Sequence, residues 1–344
     1  MRKFSSQAGF SLAEMLVAMA IMLMISGAAM SALLRLTSAQ ATIWNRTQMH
    51  SGIRGATEVL QQEVGQAGRI SLPLTSAGVS YAVTLGATIA TAGAATVAIN
   101  STAPIALDRT AGMFVGQKLV IDKGNDAAVD KQETITIQAL TDTTITAVFA
   151  YPHASGVPVL ALGAFGTGIV PPAVSPSAYA PGGTAFTYAN GSDGTVLKLY
   201  GDINADGNMV YIEYTCDTVG RNLYRNMMPW NQDPTTKPVL AASQVLLSNI
   251  IANPGGTPCF TYQTAVVGSG VNAQIFVTDV AITLTAETQL IDPVTKQKQT
   301  ETKALLNVSP RNTFNAWQMA SLGIANRIQP MPPQIVLLLP PPSP

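Results

Sequence analysis

An apolar run without a single charge extends from Met15 to Leu34, built of Leu, Met, Ile, Val and Ala with a few Ser and Gly. As a helix it is roughly 30 Å long, enough to cross a bilayer's hydrocarbon core. The pattern then changes without a break. Gln40 to Ala67 contains no Pro, and Ile53, Ala56, Leu60, Val64 and Ala67 recur at helical steps, so they share one face. Arg54, Glu58, Gln61, Gln62 and Gln66 supply much of the polar remainder. Gly68 is the expected C-cap, with Pro73 safely outside. The pattern predicts one helix from Phe10 to about Ala67, roughly 85 Å long, lipid-facing first and amphipathic afterwards. Gly52 and Gly55 weaken its middle and permit a bend.

Beyond Val79 the period shortens. Thr/Val/Ile-rich runs punctuated by Gly, Asp and Asn predict strands at Ala95–Ile99, Lys118–Ile121, Thr134–Gln138, Thr143–Phe149 and Val157–Ala161. Gly163 to Gly183 is rich in Gly and Pro and reads as a linker. Strands resume at Thr184–Tyr188, Thr195–Tyr200, Met209–Tyr214, Asn222–Tyr224, Cys259–Tyr262, Ile275–Glu287 and Lys303–Val308. The tail opens with Phe314, Trp317, Ser321 and Ile324 at helical spacing and then turns Pro-rich. Its run Ile335–Leu339 is far too short to re-enter a membrane. It reads equally as a mobile end or as a segment packed on a sheet edge or a partner.

Composition narrows the class. Charged residues make up 11% of the chain and the formal net charge is zero. Soluble domains usually carry about 25% charge. No general attraction to nucleic acid or anionic lipid follows from this balance. The expected class is α+β: one long N-terminal helix packed on an antiparallel sheet, with an inserted β-rich module.

The start of the chain admits three readings. Arg2 and Lys3 precede the apolar run, and Ala39-Gln40-Ala41 offers a secretory cleavage site. A plain signal anchor accounts for the length. Neither explains Glu14, a carboxylate at the membrane edge that is costly unless paired. Gly9, Phe10 and Glu14 resemble the class III signal of type IV prepilins and pseudopilins, in which a short basic leader ends in Gly. The resemblance implies that a prepilin peptidase cuts after Gly9 and methylates the amine of Phe10. It also implies that Glu14 meets the Phe10 amine of a neighbouring subunit. Further details resemble PilW-type minor pilins and J-type pseudopilins of type II secretion. These are Glu63–Gly68, Tyr211-Ile212-Glu213-Tyr214 leading to Asn222-Leu223-Tyr224-Arg225, the strand Val277–Thr285, and Ser309-Pro310-Arg311-Asn312.

The implied organisation is a leader at 1–9, a long helix at 10–67 and an inserted β module at 68–164. A pilin-type β domain at 165–312 and a short helix with a Pro-rich tail at 313–344 follow. The implied partners are other pilins or pseudopilins, the prepilin peptidase and an inner-membrane assembly platform. The implied location is the inner membrane, single-pass with a periplasmic C-terminal domain, and the filament after assembly. The role is initiating or capping a type IV pilus or type II secretion pseudopilus. A filament-tip adhesin or ligand-binding module is the rival.

Two cysteines, Cys216 and Cys259, lie beyond the anchor, and an oxidising periplasm favours a disulfide over two buried thiols. Asp202, Asn204, Asp206, Asn208 and Glu213, with Gly207 between them, fit the twelve-position calcium-loop pattern on strand flanks. The competing reading is a plain Asp/Asn/Gly hairpin turn. Asp122, Asn125, Asp126 and Asp130 read as a solvated loop. His50 and His153 have no sequence neighbours that suggest a nucleophile or a zinc site, so no enzyme is expected.

Overall fold

The computed structural model describes residues 11–72, 75–76, 79–80, 83–101, 110, 112–124, 131–172, 190–268 and 273–341. The expectations for Gly9, Phe10, Asn125, Asp126, Asp130 and the strand at Thr184–Tyr188 lie outside these residues. The chain divides into two units: Met1–Gly52 with Glu287–Glu301, and Ile53–Ala286 with Thr302–Pro344. A long N-terminal helix and many antiparallel strands make the fold α+β, as the hydrophobic pattern predicts.

Helix α1 runs from Leu12 to Gln66 without a break at Gly52 or Gly55. In the first unit its apolar side chains from Leu12 to Leu36 are exposed. In the second unit all five stripe residues, Ile53, Ala56, Leu60, Val64 and Ala67, are buried. Short pairs β1 (Thr75–Ser76) and β2 (Val79–Ser80) follow. Next come β3 (Val83–Leu85), β4 (Gly93–Ser101), β5 (Lys118–Ile121), β6 (Glu133–Thr136), β7 (Ala139–Leu140), β8 (Thr144–Phe149) and β9 (Val159–Leu160). They form two sheets, ordered β3-β4-β8-β7 and β6-β5-β9. Leu85, Ile99, Leu119, Ile121, Ile145 and Phe149 belong to a common buried cluster between residues 72 and 159.

Strand β10 (Ala164–Phe165) begins the return to the helix. It is followed by β11 (Val196–Gly201), β12 (Val210–Asp217), β13 (Asn222–Pro229) and β14 (Val245–Ser248), an antiparallel sheet in that order. A second sheet places β17 (Gln274–Glu287) between β15 (Ile250–Ile251) and β16 (Phe260–Val267), with β18 (Thr300–Val308) also on β17. The Cys216–Cys259 disulfide links β12 to the residue before β16 across a separation of 43. Such a loop closure contributes about 4 kcal/mol in the chain-entropy model.

One expectation needs correction. Residues 164–171 are core, not linker: Phe165, Ile169 and Val170 are fully buried. Their glycines permit close backbone contact. A Cβ on Gly168 would lie 2.1 Å from the Gly68 Cα, and one on Gly163 would lie 1.8 Å from the Arg327 carbonyl oxygen. Gly68 itself sits at φ +81, where glycine is favoured, and its N–H bonds the Tyr200 carbonyl at 2.9 Å. Of the two readings of the tail, the structure shows the packed one. Helix α2 (Arg311–Ser321) buries Ala316, and Asn312 Nδ2 donates to the Gln66 and Ala67 carbonyls at 3.0 and 3.3 Å. These are orphan carbonyls at the end of α1. Strand β19 (Ile328–Gln329) pairs in parallel with β10. Helix α3 (Pro333–Leu338) starts with Pro at a position that tolerates it, and buries Ile335, Leu338 and Leu339 beside Tyr200, Tyr211 and Trp230. Each such side chain contributes about 1.5–3 kcal/mol on burial.

The glycines give a paired test. Gly168→Ala should destabilise by about 1–3 kcal/mol or more, because the added Cβ meets backbone that cannot yield. Gly55→Ala meets open space on α1 and should stabilise by about 0.5–1 kcal/mol. Thermal unfolding of the detergent-solubilised chain separates them. A neutral Gly168→Ala would mean that the helix end is not wedged.

Candidate functional site

The N-terminal turn of α1 is closed by a reciprocal pair. Ser11 Oγ accepts the Glu14 N–H at 3.2 Å, and Glu14 Oε2 accepts the Ser11 N–H at 2.9 Å. This is a capping box, and it also puts a carboxylate at the positive end of the helix dipole. The Ser-x-x-Glu spacing of Ser11 and Glu14 is the sequence signature of such a box. From there α1 has an 18-residue window of mean hydropathy 2.2, none of it buried within the chain. The helix is long and apolar enough to cross a membrane.

The buried half of α1 is tied to the sheet by Glu63. Arg225 Nε on β13 donates to both Glu63 carboxylate oxygens at 3.0 and 3.2 Å, and Arg225 Nη2 adds a further bond to Oε1. The Tyr214 hydroxyl on β12 donates to Glu63 Oε2. Burial works against the Arg225 cation, but the Glu63 hydrogen bonds and charge outweigh it and raise the pKa. Burial, followed by the Glu63 charge, pushes the Tyr214 phenol well above its ordinary range. Beside this cluster lies an open groove of about 1150 Å³, bordered by polar residues such as Glu58, Gln62 and Arg225 and by apolar ones such as Ile203, Leu246 and Val308.

The aspartate loop between β11 and β12 binds its own amides. Asp202 is buried, and its Oδ1 accepts the N–H groups of Asp206 and Gly207 at 3.0 and 3.3 Å. Asp206 Oδ1 accepts the Asn208 N–H at 2.8 Å. The other Asp202 oxygen faces Arg69 Nε at 3.4 Å, so a guanidinium lies where a metal ion would need negative charge. Asn204, Asp206 and Asn208 are exposed.

Glu213 is not gathered with these residues. It lies in the sheet, paired in register with Lys198 and Asn226, and accepts the Tyr211 hydroxyl at 2.6 Å and Lys237 Nζ at 2.7 Å. Lys198 Nζ stands 3.8 Å away. Among the described residues no group of three His, Cys, Asp or Glu side chains could hold a metal ion. Side chains alternate faces along β12, and Glu213 is bonded there to Tyr211 and Lys237.

Those lysines fasten the tail. Lys198 Nζ donates to the Leu339 carbonyl at 2.6 Å, and Lys237 Nζ donates to Pro340 at 2.7 Å and to Leu338. Burial lowers the Lys198 pKa against the opposing pull of Glu213. Nothing in the local sequence marked Lys237, because its partners lie 24 and about 100 residues away.

His153 also differs from its expectation. It is buried, with Nε2 2.6 Å from Glu133 Oε1 and Nδ1 3.4 Å from Asp122 Oδ2. Asp122 is therefore an inward residue at φ +62 and not part of a solvated loop. His50 pairs with Glu301.

Residues 4–30 match a family model described as the prokaryotic N-terminal methylation motif. No curated protein and no solved structure matches the chain. The match covers the leader and the first turns of α1, and it supports a type IV pilin or pseudopilin origin for that segment.

Alkaline titration tests the buried phenols. Burial and then Glu213 raise Tyr211, and burial and then Glu63 raise Tyr214. A folded pKa above the unfolded value of about 10 means that their stabilisation is complete below pH 10 and is lost as pH rises beyond it. Burial also raises Tyr262, so of the nine tyrosines these three should show phenolate absorbance only together with loss of circular dichroism. Full titration of all nine in a native chain would contradict the buried pairings.

Proposed function

We propose that this chain is a minor pilin or pseudopilin. It is stored in the inner membrane by α1, processed by a prepilin peptidase after Gly9, and built into a type IV pilus or type II secretion pseudopilus that it helps to initiate or cap. The observation that carries the reading is the methylation motif at 4–30 running directly into a 55-residue helix that is apolar at one end and sheet-packed at the other. The mechanism is assembly. A carboxylate at position 14 neutralises the amine of a neighbouring subunit, and breaking a buried pair of this kind costs about 3–5 kcal/mol. The bulk beyond α1 suits a low-copy initiating or tip subunit, because large globular parts crowd a helical lattice.

The rival reading is a tip adhesin or ligand-binding module. The β3–β9 module turns Phe149 inward and shares a continuous aliphatic core, which favours a scaffold over a binding cleft.

Because Glu14 also caps its own helix, the two roles need separating. Glu14→Gln keeps a side chain able to cap but removes the charge, and Glu14→Ala removes both. Sheared filaments probed for the subunit should show both variants poorly incorporated, although both remain membrane-bound. Normal incorporation of Glu14→Gln with failure of Glu14→Ala would assign position 14 to capping alone and remove the pairing role.

A further inference from the structure

His153 lies in the connection between β8 and β9, and its partners come from both sheets of the β3–β9 module. Its backbone is fixed first. The His153 N–H donates to the Ile89 carbonyl at 3.0 Å, and the Ile89 N–H donates to the His153 carbonyl at 2.8 Å. The ring packs edge-on against Phe149 of β8, with centroids 6.1 Å apart. The imidazole is 0% exposed, and the carboxylates on its two sides, Asp122 and Glu133, are 7% and 8% exposed. Nε2 lies 2.6 Å from Glu133 Oε1, and Nδ1 lies 3.4 Å from Asp122 Oδ2. At such low exposure water does not replace a lost partner, so an unmatched nitrogen or oxygen is costly.

The two carboxylates are held differently. Glu133, at the start of β6, also accepts the Ala150 N–H at 2.6 Å and the Tyr151 N–H at 3.2 Å. Asp122, just after β5, has a looser hold. It sits at φ +62, which a non-glycine residue adopts at a cost, and its Oδ1 is buried without a hydrogen-bond partner among the described residues. Its neighbour Lys123 is exposed, and Lys131, two residues before Glu133, is partly exposed. Asp122 and Glu133 are the charged side chains that bond the ring among the described residues.

The chemistry of imidazole makes this arrangement two-state. An imidazolium donates from both nitrogens, whereas a neutral imidazole has one N–H and one lone pair. Charged, His153 satisfies both carboxylates. Neutral, it keeps one of them, and the short Glu133 bond is the one to keep. Its Nδ1 lone pair then faces an Asp122 oxygen, and the two repel. We propose that Asp122 and His153 form a proton-operated clasp between the end of β5 and the β8–β9 connection. The clasp is closed while the ring is charged and opens when the ring loses its proton. Histidine is the side chain whose ordinary titration falls between about pH 5 and 8. Closing favours the charged ring, so the contact is present in mild acid and lost as pH rises through the titration of the ring. Glu133 stays bound in both states, which confines the opening to Asp122.

The test uses the full chain, with its disulfide intact, in detergent micelles between about pH 5.5 and 8.5. This window stays above the ordinary range of Asp and Glu, about 3.9 and 4.3. Isotope-labelled imidazoles report charge and tautomer by magnetic resonance. The chain has two histidines, and His50, with its side chain 55% exposed, is the internal reference. A His153→Gln sample assigns the two signals. Hydrogen exchange, corrected for its intrinsic rise with pH, reports the Asp122 N–H, which bonds the Pro158 carbonyl at 3.0 Å. Protection there should fall several-fold as His153 loses its proton, and the neutral ring should carry its hydrogen on Nε2. Asp122→Asn should abolish the step, because the Asn amide donates to the neutral Nδ1 and keeps the clasp shut. Constant corrected protection across a titration of His153 overturns the proposal. So does a ring that keeps one charge state over the whole window, or a step that persists in Asp122→Asn. If Asp122→Asn fails to fold, the wild-type exchange step and the tautomer decide by themselves.

Discussion

One continuous backbone, α1, meets two environments, and the hold on its second half decides how the rest of its unit packs. That hold has two parts. Glu63 is bound by Tyr214 and Arg225 from adjacent strands, so a buried carboxylate fixes the rotation of the helix on the sheet. At the helix end Gly68, Gly168 and Gly201 bring three backbone segments within a distance no Cβ could enter. Asn312 then caps the last carbonyls from α2. Charge, close packing and capping thus converge on the same turn.

The C-terminal segment completes this arrangement. Its apolar residues fill the space beside Tyr200 and Tyr211, and its carbonyls accept from Lys198 and Lys237, whose shared counter-ion is Glu213. Two buried ammonium groups on one carboxylate are tolerable because the tail carbonyls, and the Asn190 carbonyl at 2.7 Å from Lys198 Nζ, supply the remaining acceptors. The tail is therefore part of the electrostatic solution of the sheet.

Regular periodicity made much of the fold legible. Lys118–Ile121 is a strand with the expected limits, Ile275–Glu287 lies within β17, and all five stripe residues of α1 are buried. What was missed depends on distant contacts. Gly163–Gly183 looks like a linker because glycine and proline are ambiguous between freedom and close approach, and only Gly68 and Arg327 reveal the second use in the described part. Ile335–Leu339 lacks periodicity, and its partners are more than 100 residues earlier. Spacing along the chain matches a calcium loop, yet it says nothing of the Lys237 that Glu213 meets on β12. Ser11, by contrast, is legible as half of a capping box from its spacing to Glu14 alone.

The chain's own N-terminus tests whether this helix belongs to a processed, filament-forming subunit. Mass spectrometry of the protein extracted from membranes should find a mature chain that begins with N-methylated Phe10. A mature chain beginning at Thr42, after the Ala39-Gln40-Ala41 site, would establish a secretory signal and contradict the pilin reading.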